Sequence, residues 1–221
     1  MSVEALHPWP LNLDEAIRLQ ENLHQRLVLT WDGREISSLG GVDVCYVDGN
    51  VRAAIALFSY PELSPLTTVI SQAPLLFPYI PGLLGFRLAP SILAAWEQLP
   101  YKPDLLMIHG HGIAHPRRLG LASHIGLWIN TPTIGIAKTR LYGYHAEATL
   151  EVGEWSALMD ENKPNHAIGA TLCTRSGSKP IYVSPGHLVD IPVSVKFVLA
   201  CCRGYRMPEP LRIAHKVATL G

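Results

Sequence analysis

The chain has 221 residues, 48% of them apolar, which is enough to bury one substantial core and too few for two comfortable domains, so residues 1–221 read as one domain. Eighteen basic and eighteen acidic side chains cancel, which excludes the general positive field that drives non-specific nucleic-acid binding; any such contact must be local. No apolar run approaches the roughly 20 residues of a membrane span, and no basic stretch leading into an apolar one opens the chain, so it reads as soluble and cytoplasmic.

Residues 12–28 (NLDEAIRLQENLHQRLV) place Leu13, Ile17, Leu23 and Leu27 near one helical face, with Asn12 and Glu15 spaced as a capping box, and predict an amphipathic helix. Segments 39–46, 51–58 and 66–71 have β character, and a Val-Asp-Gly-Asn turn separates the first two; together they predict an antiparallel meander. Pro90 suits the first turn of a helix reaching Leu99, with Ile92, Leu93 and Trp96 inward. From Asp104 onward short apolar runs alternate with helical stretches: a strand at 105–108, a helix near 117–128 and a strand at 133–137, an order that favours parallel strands joined by crossovers. Strands at 167–173 and 181–183 and a helix over 192–202 complete the reading. Cys45, Cys173, Cys201 and Cys202 lack metal-ligand spacing and read as reduced core thiols.

The expected architecture is therefore α/β, a mixed sheet in which an antiparallel meander is followed by parallel strands, flanked by helices. That order fits a ribonuclease-H-like fold, in which acidic residues at strand ends hold divalent metal.

Chemistry-bearing residues concentrate in GGVDVCYVDG (40–49), PYIPGLLGFRLAP (78–90), MIHGHGIAHPRRLGLASHIG (107–126) and TPTIGIAKTRLYG (131–143), with VSPGH (183–187) and RGYRMPEP (203–210) beyond them. In this order, through nearly the whole chain, these stretches closely resemble the endonuclease V family of deaminated-purine repair nucleases. The resemblance implies a ribonuclease-H-like fold, recognition of deoxyinosine in DNA or inosine in RNA, and hydrolysis of a phosphodiester on the 3′ side of the lesion with Mg²⁺ or Mn²⁺. It also implies a metal site built from an Asp on the first strand, a Glu after the FR of the PYIPG segment and an Asp opening DGHG. Asp43 matches the first, but the other two positions hold Leu88 and His109. Leucine offers no ligand and imidazole is a poor one for a hard, oxygen-seeking ion, so metal binding and cleavage are expected to be impaired or lost.

By the same resemblance Tyr79 is the wedge that enters beside the lesion, with Pro81 and Gly82 shaping its approach; Gly82, Leu84, Gly112, His115 and Leu141 line a pocket for the flipped base; Arg87, Arg117 and Arg118 belong to the nucleic-acid surface; Lys138 offsets charge near the scissile phosphate; and His187 stands near the metal centre. Taken singly, these residues have plainer readings: an exposed aromatic at a strand end, glycines in tight turns, solvated surface arginines and a hydrogen-bonded loop histidine. Tyr142, where many relatives carry cysteine, is expected to narrow the pocket. The expected partner is DNA rather than RNA carrying a deaminated purine, bound by a monomer with no membrane involvement. Two alternatives stay open: a working nuclease with a rebuilt site of Asp43, His109 and His187 (or a recruited acid such as Asp190) suited to Mn²⁺, Zn²⁺ or Fe²⁺, and a binding module without catalysis.

Overall fold

Asn12 starts the first helix, α1 (Leu13–Leu23), as its spacing to Glu15 predicts: Asn12 Oδ1 accepts from the Glu15 amide at 3.0 Å, and Asn12 Nδ2 donates to Glu15 Oε1 at 3.1 Å. The helix ends earlier than expected. A single 3₁₀ turn, His24–Arg26, follows it, and the extended chain beyond lets Leu27 and Leu29 pack on Ile113, Leu158 and Ile168. The buried stripe of α1 is Ala16, Gln20 and Leu23, while Leu13 is exposed. The computed structural model describes residues 5–10, 12–146 and 151–221. Among them no helix is long and apolar enough to cross a membrane.

Three long strands form the meander: β1 (Ser38–Val47), β2 (Asn50–Ser59) and β3 (Pro65–Pro74), paired antiparallel in sequence order. The next helix, α2 (Leu84–Gln98), starts a turn and a half earlier than Pro90 suggests and carries that proline inside it. An internal proline costs a helix about 3 kcal/mol. The burial of Leu88, Ile92 and Trp96 against the sheet, and of Phe86 beside Phe77 and Ala16, offsets that cost at roughly 1.5–3 kcal/mol per large side chain. Then come β4 (Leu105–His109), α3 (Leu121–Ile129), β5 (Thr133–Ala137), β6 (Trp155–Met159), β7 (Ala167–Leu172), β8 (Ile181–His187), α4 (Ile191–Ala200) and α5 (Glu209–Leu220). β6 and α5 are not among the sequence expectations. α3 begins four residues after Arg117, because Arg118 takes a left-handed turn at φ 59°.

One eight-stranded sheet runs in the order β3-β2-β1-β4-β5-β8-β7-β6. Only β1–β4 and β4–β5 are parallel; β8, β7 and β6 return to antiparallel pairing, which corrects the expectation of parallel strands to the end. Alternation along the strands splits the core into two layers. Leu39, Met107 and Ile134 meet α4 and α5 through Phe197, Val198, Leu211 and Ala214. Val42, Ile55, Leu106 and Ile108 meet α2 and α3 through Leu88, Ile92, Trp96 and Ile125.

The same alternation positions the site. β1 and β4 run parallel with Val42 opposite Ile108, so the following residues, Asp43 in the middle of β1 and His109 at the end of β4, emerge side by side on the α5 face. α5 lies across β1 and β2. Its first turn crosses so close to β1 that a Cβ on Gly41 would stand 2.1 Å from the carbonyl oxygen of Pro210. Only glycine lets the helix approach this way, and the approach brings His215 over Asp43.

Candidate nucleic-acid site

Asp43 is 5% exposed and both of its carboxylate oxygens are occupied. Oδ1 accepts from the Val44 amide at 2.8 Å and from His109 Nδ1 at 2.9 Å, while Oδ2 accepts from His215 Nδ1 at 2.8 Å. Burial pushes the Asp43 carboxyl up, but the His109 hydrogen bond and charge, the Val44 amide and His215 together outweigh it and leave the group below its usual range. A carboxylate only accepts, so both Nδ1 atoms carry hydrogen. The two rings and Asp43 line a cavity of about 390 Å³ with Lys138, Leu211 and Lys216.

This set does not fit a hard dication. Among the described residues Asp43 is the one acid lining the cavity, and its oxygens are taken by N–H donors. Among the described residues no three His, Cys, Asp or Glu side chains converge as metal ligands would. Leu88 does not line the cavity at all: it is 2% exposed, in the core layer of Val42 and Ile108 on the α2 side of the sheet. His187 is misplaced for the expected role. It pairs with Thr133 at the start of β5, whereas His109 pairs with Ile136 near its end, so the two histidines lie toward opposite ends of the sheet. His187 is buried, with Nδ1 3.3 Å from the Val28 amide. Asp190 is likewise committed elsewhere, capping α4 through the Val193 amide at 2.9 Å. His215 stands beside Asp43 instead. Its only sequence signal is the helical spacing of Leu211, Ala214 and Ala218 around it, which marks α5 as amphipathic.

A second cavity of about 280 Å³ lies alongside, served by the same chain crossings: His109 and Lys138 line the first, Gly110, His111, Thr139 and Leu141 the second. Tyr79, Pro81, Gly82, Leu84 and His115 are also among the residues that line the second. Tyr79 is 69% exposed at its rim, and Leu141 is also exposed. The PYIPG turn is pinned at a single atom. The Gly82 carbonyl accepts from Gln20 Nε2 at 2.9 Å, His115 Nε2 at 2.9 Å and Arg117 Nη2 at 3.1 Å. Gly82 itself has φ +80°, and a Cβ there would meet Arg117 Nη2 at 2.9 Å. Gln20 was legible only as a polar residue on the buried stripe of α1.

His115 Nδ1 accepts from the Arg117 amide at 3.1 Å, so both of its nitrogens are engaged; burial pushes its pKa down to about 4, against the Gly82 hydrogen bond. His111 places Nε2 3.0 Å from the Thr139 carbonyl, and burial lowers its pKa more than that bond raises it.

The arginines do not present free forks to a phosphate. Arg117 Nε donates to Gln20 Oε1 at 2.5 Å. Arg118 pairs with the buried Asp160 carboxylate, donates to the His115 carbonyl at 2.8 Å and lies 5.0 Å over the Tyr142 ring. Arg87 Nη1 donates to the Phe77 carbonyl at 2.6 Å, with its guanidinium 5.3 Å over Tyr46. All three brace the loops that shape the second cavity. Gly112 lies behind that cavity, its amide donating to Ser184 Oγ at 2.8 Å under β8. Tyr142 does not narrow the pocket; its hydroxyl binds Asp160 Oδ1 at 3.2 Å.

The family model for Endonuclease V matches residues 21–216. The chain belongs to the Endonuclease V family. It is 44% identical over 222 residues to an Endonuclease V of Trichormus variabilis, covering 99% of each chain. The crystal structure of Endonuclease V from Streptomyces avermitilis superposes with a TM-score of 0.89 at 35% identity, covering 99% of this chain and 96% of that one. At 24% identity and a TM-score of 0.80, over 93% of this chain and 95% of that one, the fold is shared with Ciona intestinalis Endonuclease V, solved in complex with a DNA containing an inosine followed by a ribo-adenosine. Endonuclease V proteins are metal-dependent nucleases.

Proposed function

We propose that this Endonuclease V protein recognises a deaminated purine, hypoxanthine foremost, in DNA, and that its metal-dependent cleavage 3′ to the lesion is impaired or lost. The observation that carries the proposal is the contrast between adjacent cavities. One keeps an exposed aromatic, a pinned turn and a base-sized space; the other keeps a single carboxylate with both oxygens engaged by imidazole donors. The inosine-containing DNA bound by the Ciona protein supports the choice of ligand. Tyr79 stacks on the bases that a flipped nucleotide leaves behind, worth about 1–3 kcal/mol per base. Lys138 and Lys216, with His109 and His215, meet the neighbouring phosphate in a cavity where the lone carboxylate is already compensated, so binding needs no dication.

The test pairs binding and cleavage on inosine-containing and matched undamaged strands, at stated salt, in EDTA and in Mg²⁺ or Mn²⁺. Lesion-selective binding in EDTA with little or no nicking in metal is the expected result. Robust, Asp43-dependent turnover in Mg²⁺ overturns the loss of cleavage, and equal affinity for damaged and undamaged strands overturns recognition.

The two imidazoles on Asp43 favour one second reading, a site for an ion that accepts nitrogen, Mn²⁺ or Zn²⁺, held by His109 and His215 rather than His187. Anomalous scattering between these rings supports it; absence of the signal at saturating Mn²⁺ removes it.

A further inference from the structure

One hydrogen-bonding group on the second cavity is left unused by the contacts that hold the cavity together. His111 lines it, and its Nε2 lies 3.0 Å from the Thr139 carbonyl. A carbonyl only accepts, so Nε2 bears the hydrogen, and the neutral ring keeps a lone pair on Nδ1. That nitrogen has no hydrogen-bond partner among the described residues. The other imidazole of the cavity, His115, is committed at both nitrogens to Gly82 and Arg117. His111 is thus anchored at one nitrogen and bare at the other, an acceptor already oriented before any ligand arrives.

Deamination of adenine changes N1 from an acceptor into an N–H donor. We propose that His111 Nδ1 accepts this N1–H from a flipped 6-oxopurine and is a residue by which the protein separates hypoxanthine from adenine. Adenine in the same pose would set lone pair against lone pair, leaving two acceptors desolvated and unpaired. Guanine also carries N1–H, so this contact does not separate hypoxanthine from guanine; that distinction belongs to other groups. The inference rests on the reading of the cavity as a base pocket.

The experiment measures fluorescence anisotropy with three strands of one sequence, carrying hypoxanthine, adenine or guanine at a single position, in EDTA. The proteins are the full-length chain and its His111→Ala and His111→Gln variants. The unaltered chain is expected to favour hypoxanthine over adenine. His111→Ala is expected to weaken hypoxanthine binding about 10-fold, the scale of a buried donor left unpaired, with adenine affinity and the hypoxanthine-to-guanine ratio little changed. His111→Gln, whose Oε1 can accept, is expected to recover most of the preference. A role confined to holding the Thr139 segment would weaken all three strands together and overturns the proposal. So does a His111→Ala variant that keeps the hypoxanthine-over-adenine preference of the unaltered chain, in which case the base-pocket reading stands. An unaltered chain with no such preference overturns both.

Discussion

Replacing His109 by aspartate tests the account of the Asp43 centre directly. The substitution removes an N–H donor 2.9 Å from Asp43 Oδ1 and sets a second carboxylate against a group that is 5% exposed. Two unit charges about 4 Å apart repel by about 4 kcal/mol at an effective dielectric of 20. The side chain at 109 is 29% exposed, so water screens part of this. Taking about 1–2 kcal/mol of repulsion and about 1 kcal/mol for the lost hydrogen bond gives a destabilisation of about 2–3 kcal/mol. In a chain of this size 1 kcal/mol moves Tm by about 2–4 °C, so His109→Asp is expected to melt several degrees lower in EDTA. Mg²⁺ or Mn²⁺ should reverse the loss, since a dication at 100 times its Kd returns about 2.7 kcal/mol. The unaltered chain should show no comparable gain. Differential scanning calorimetry of both proteins, with and without each metal, decides the matter. If millimolar Mg²⁺ stabilises the unaltered chain as much as the variant, the occupied-carboxylate account is wrong.

Four further outcomes are expected. The paired change Leu88→Glu with His109→Asp should nick beside inosine on denaturing gels no better than His109→Asp alone, because position 88 lies buried in the core layer on the α2 side of the sheet and away from the Asp43 cavity, where a carboxyl is costly to bury; nicking far above the single variant would show that residue 88 does serve the Asp43 centre. Gly41→Ala should displace α5, because its Cβ would meet main-chain atoms of Pro210 that cannot rotate away; a loss of about 1–3 kcal/mol or more is expected by urea unfolding, and unchanged stability would contradict the close approach. Arg118→Ala should lower Tm by breaking a pair with buried Asp160 while leaving the salt dependence of DNA binding intact; a log–log salt slope smaller by about 1 would instead mark it as a phosphate contact. Stability should also fall in mild acid. His124, against His7 at 2.7 Å, and His115 are held neutral by burial, with pKa values pushed down to about 3 and about 4. The unfolded chain protonates them near 6.5, so their contribution is complete above that pH and is lost as pH falls toward the folded values; unfolding free energy at pH 5 should be lower than at pH 7 by on the order of 2 kcal/mol for each. An unchanged value would exclude the buried neutral state.

Much of the fold was legible because it rests on local periodicity. The meander, the strand at 133–137 and the Asn12 cap all follow from alternation or from side-chain reach within four residues. The errors arose where distant packing overruled local preference: Pro90 inside α2, the left-handed turn at Arg118, and the antiparallel return of β8, β7 and β6. The candidate site divides the same way. Motif order pointed to Tyr79, Pro81, Gly82, Leu84, His115 and Leu141, which line one cavity because the fold closes together three connections, the one leading into α2, the one between β4 and α3, and the one after β5.

The sequence by itself determined which residue types are available: Asp43 on the first strand, and Leu88 and His109 in the two stretches where the family resemblance leads one to expect further acids. It could not determine what those groups do with one another, since hydrogen bonds between strands and a helix far apart in the chain depend on register and helix placement. Tertiary structure alone decided that His215, 172 residues from Asp43, completes its hydrogen bonding while His187 lies toward the far end of the sheet. It likewise turned Arg87, Arg117 and Arg118 inward, where the Phe77 and Gly82 carbonyls and the buried Asp160 carboxylate accept from them.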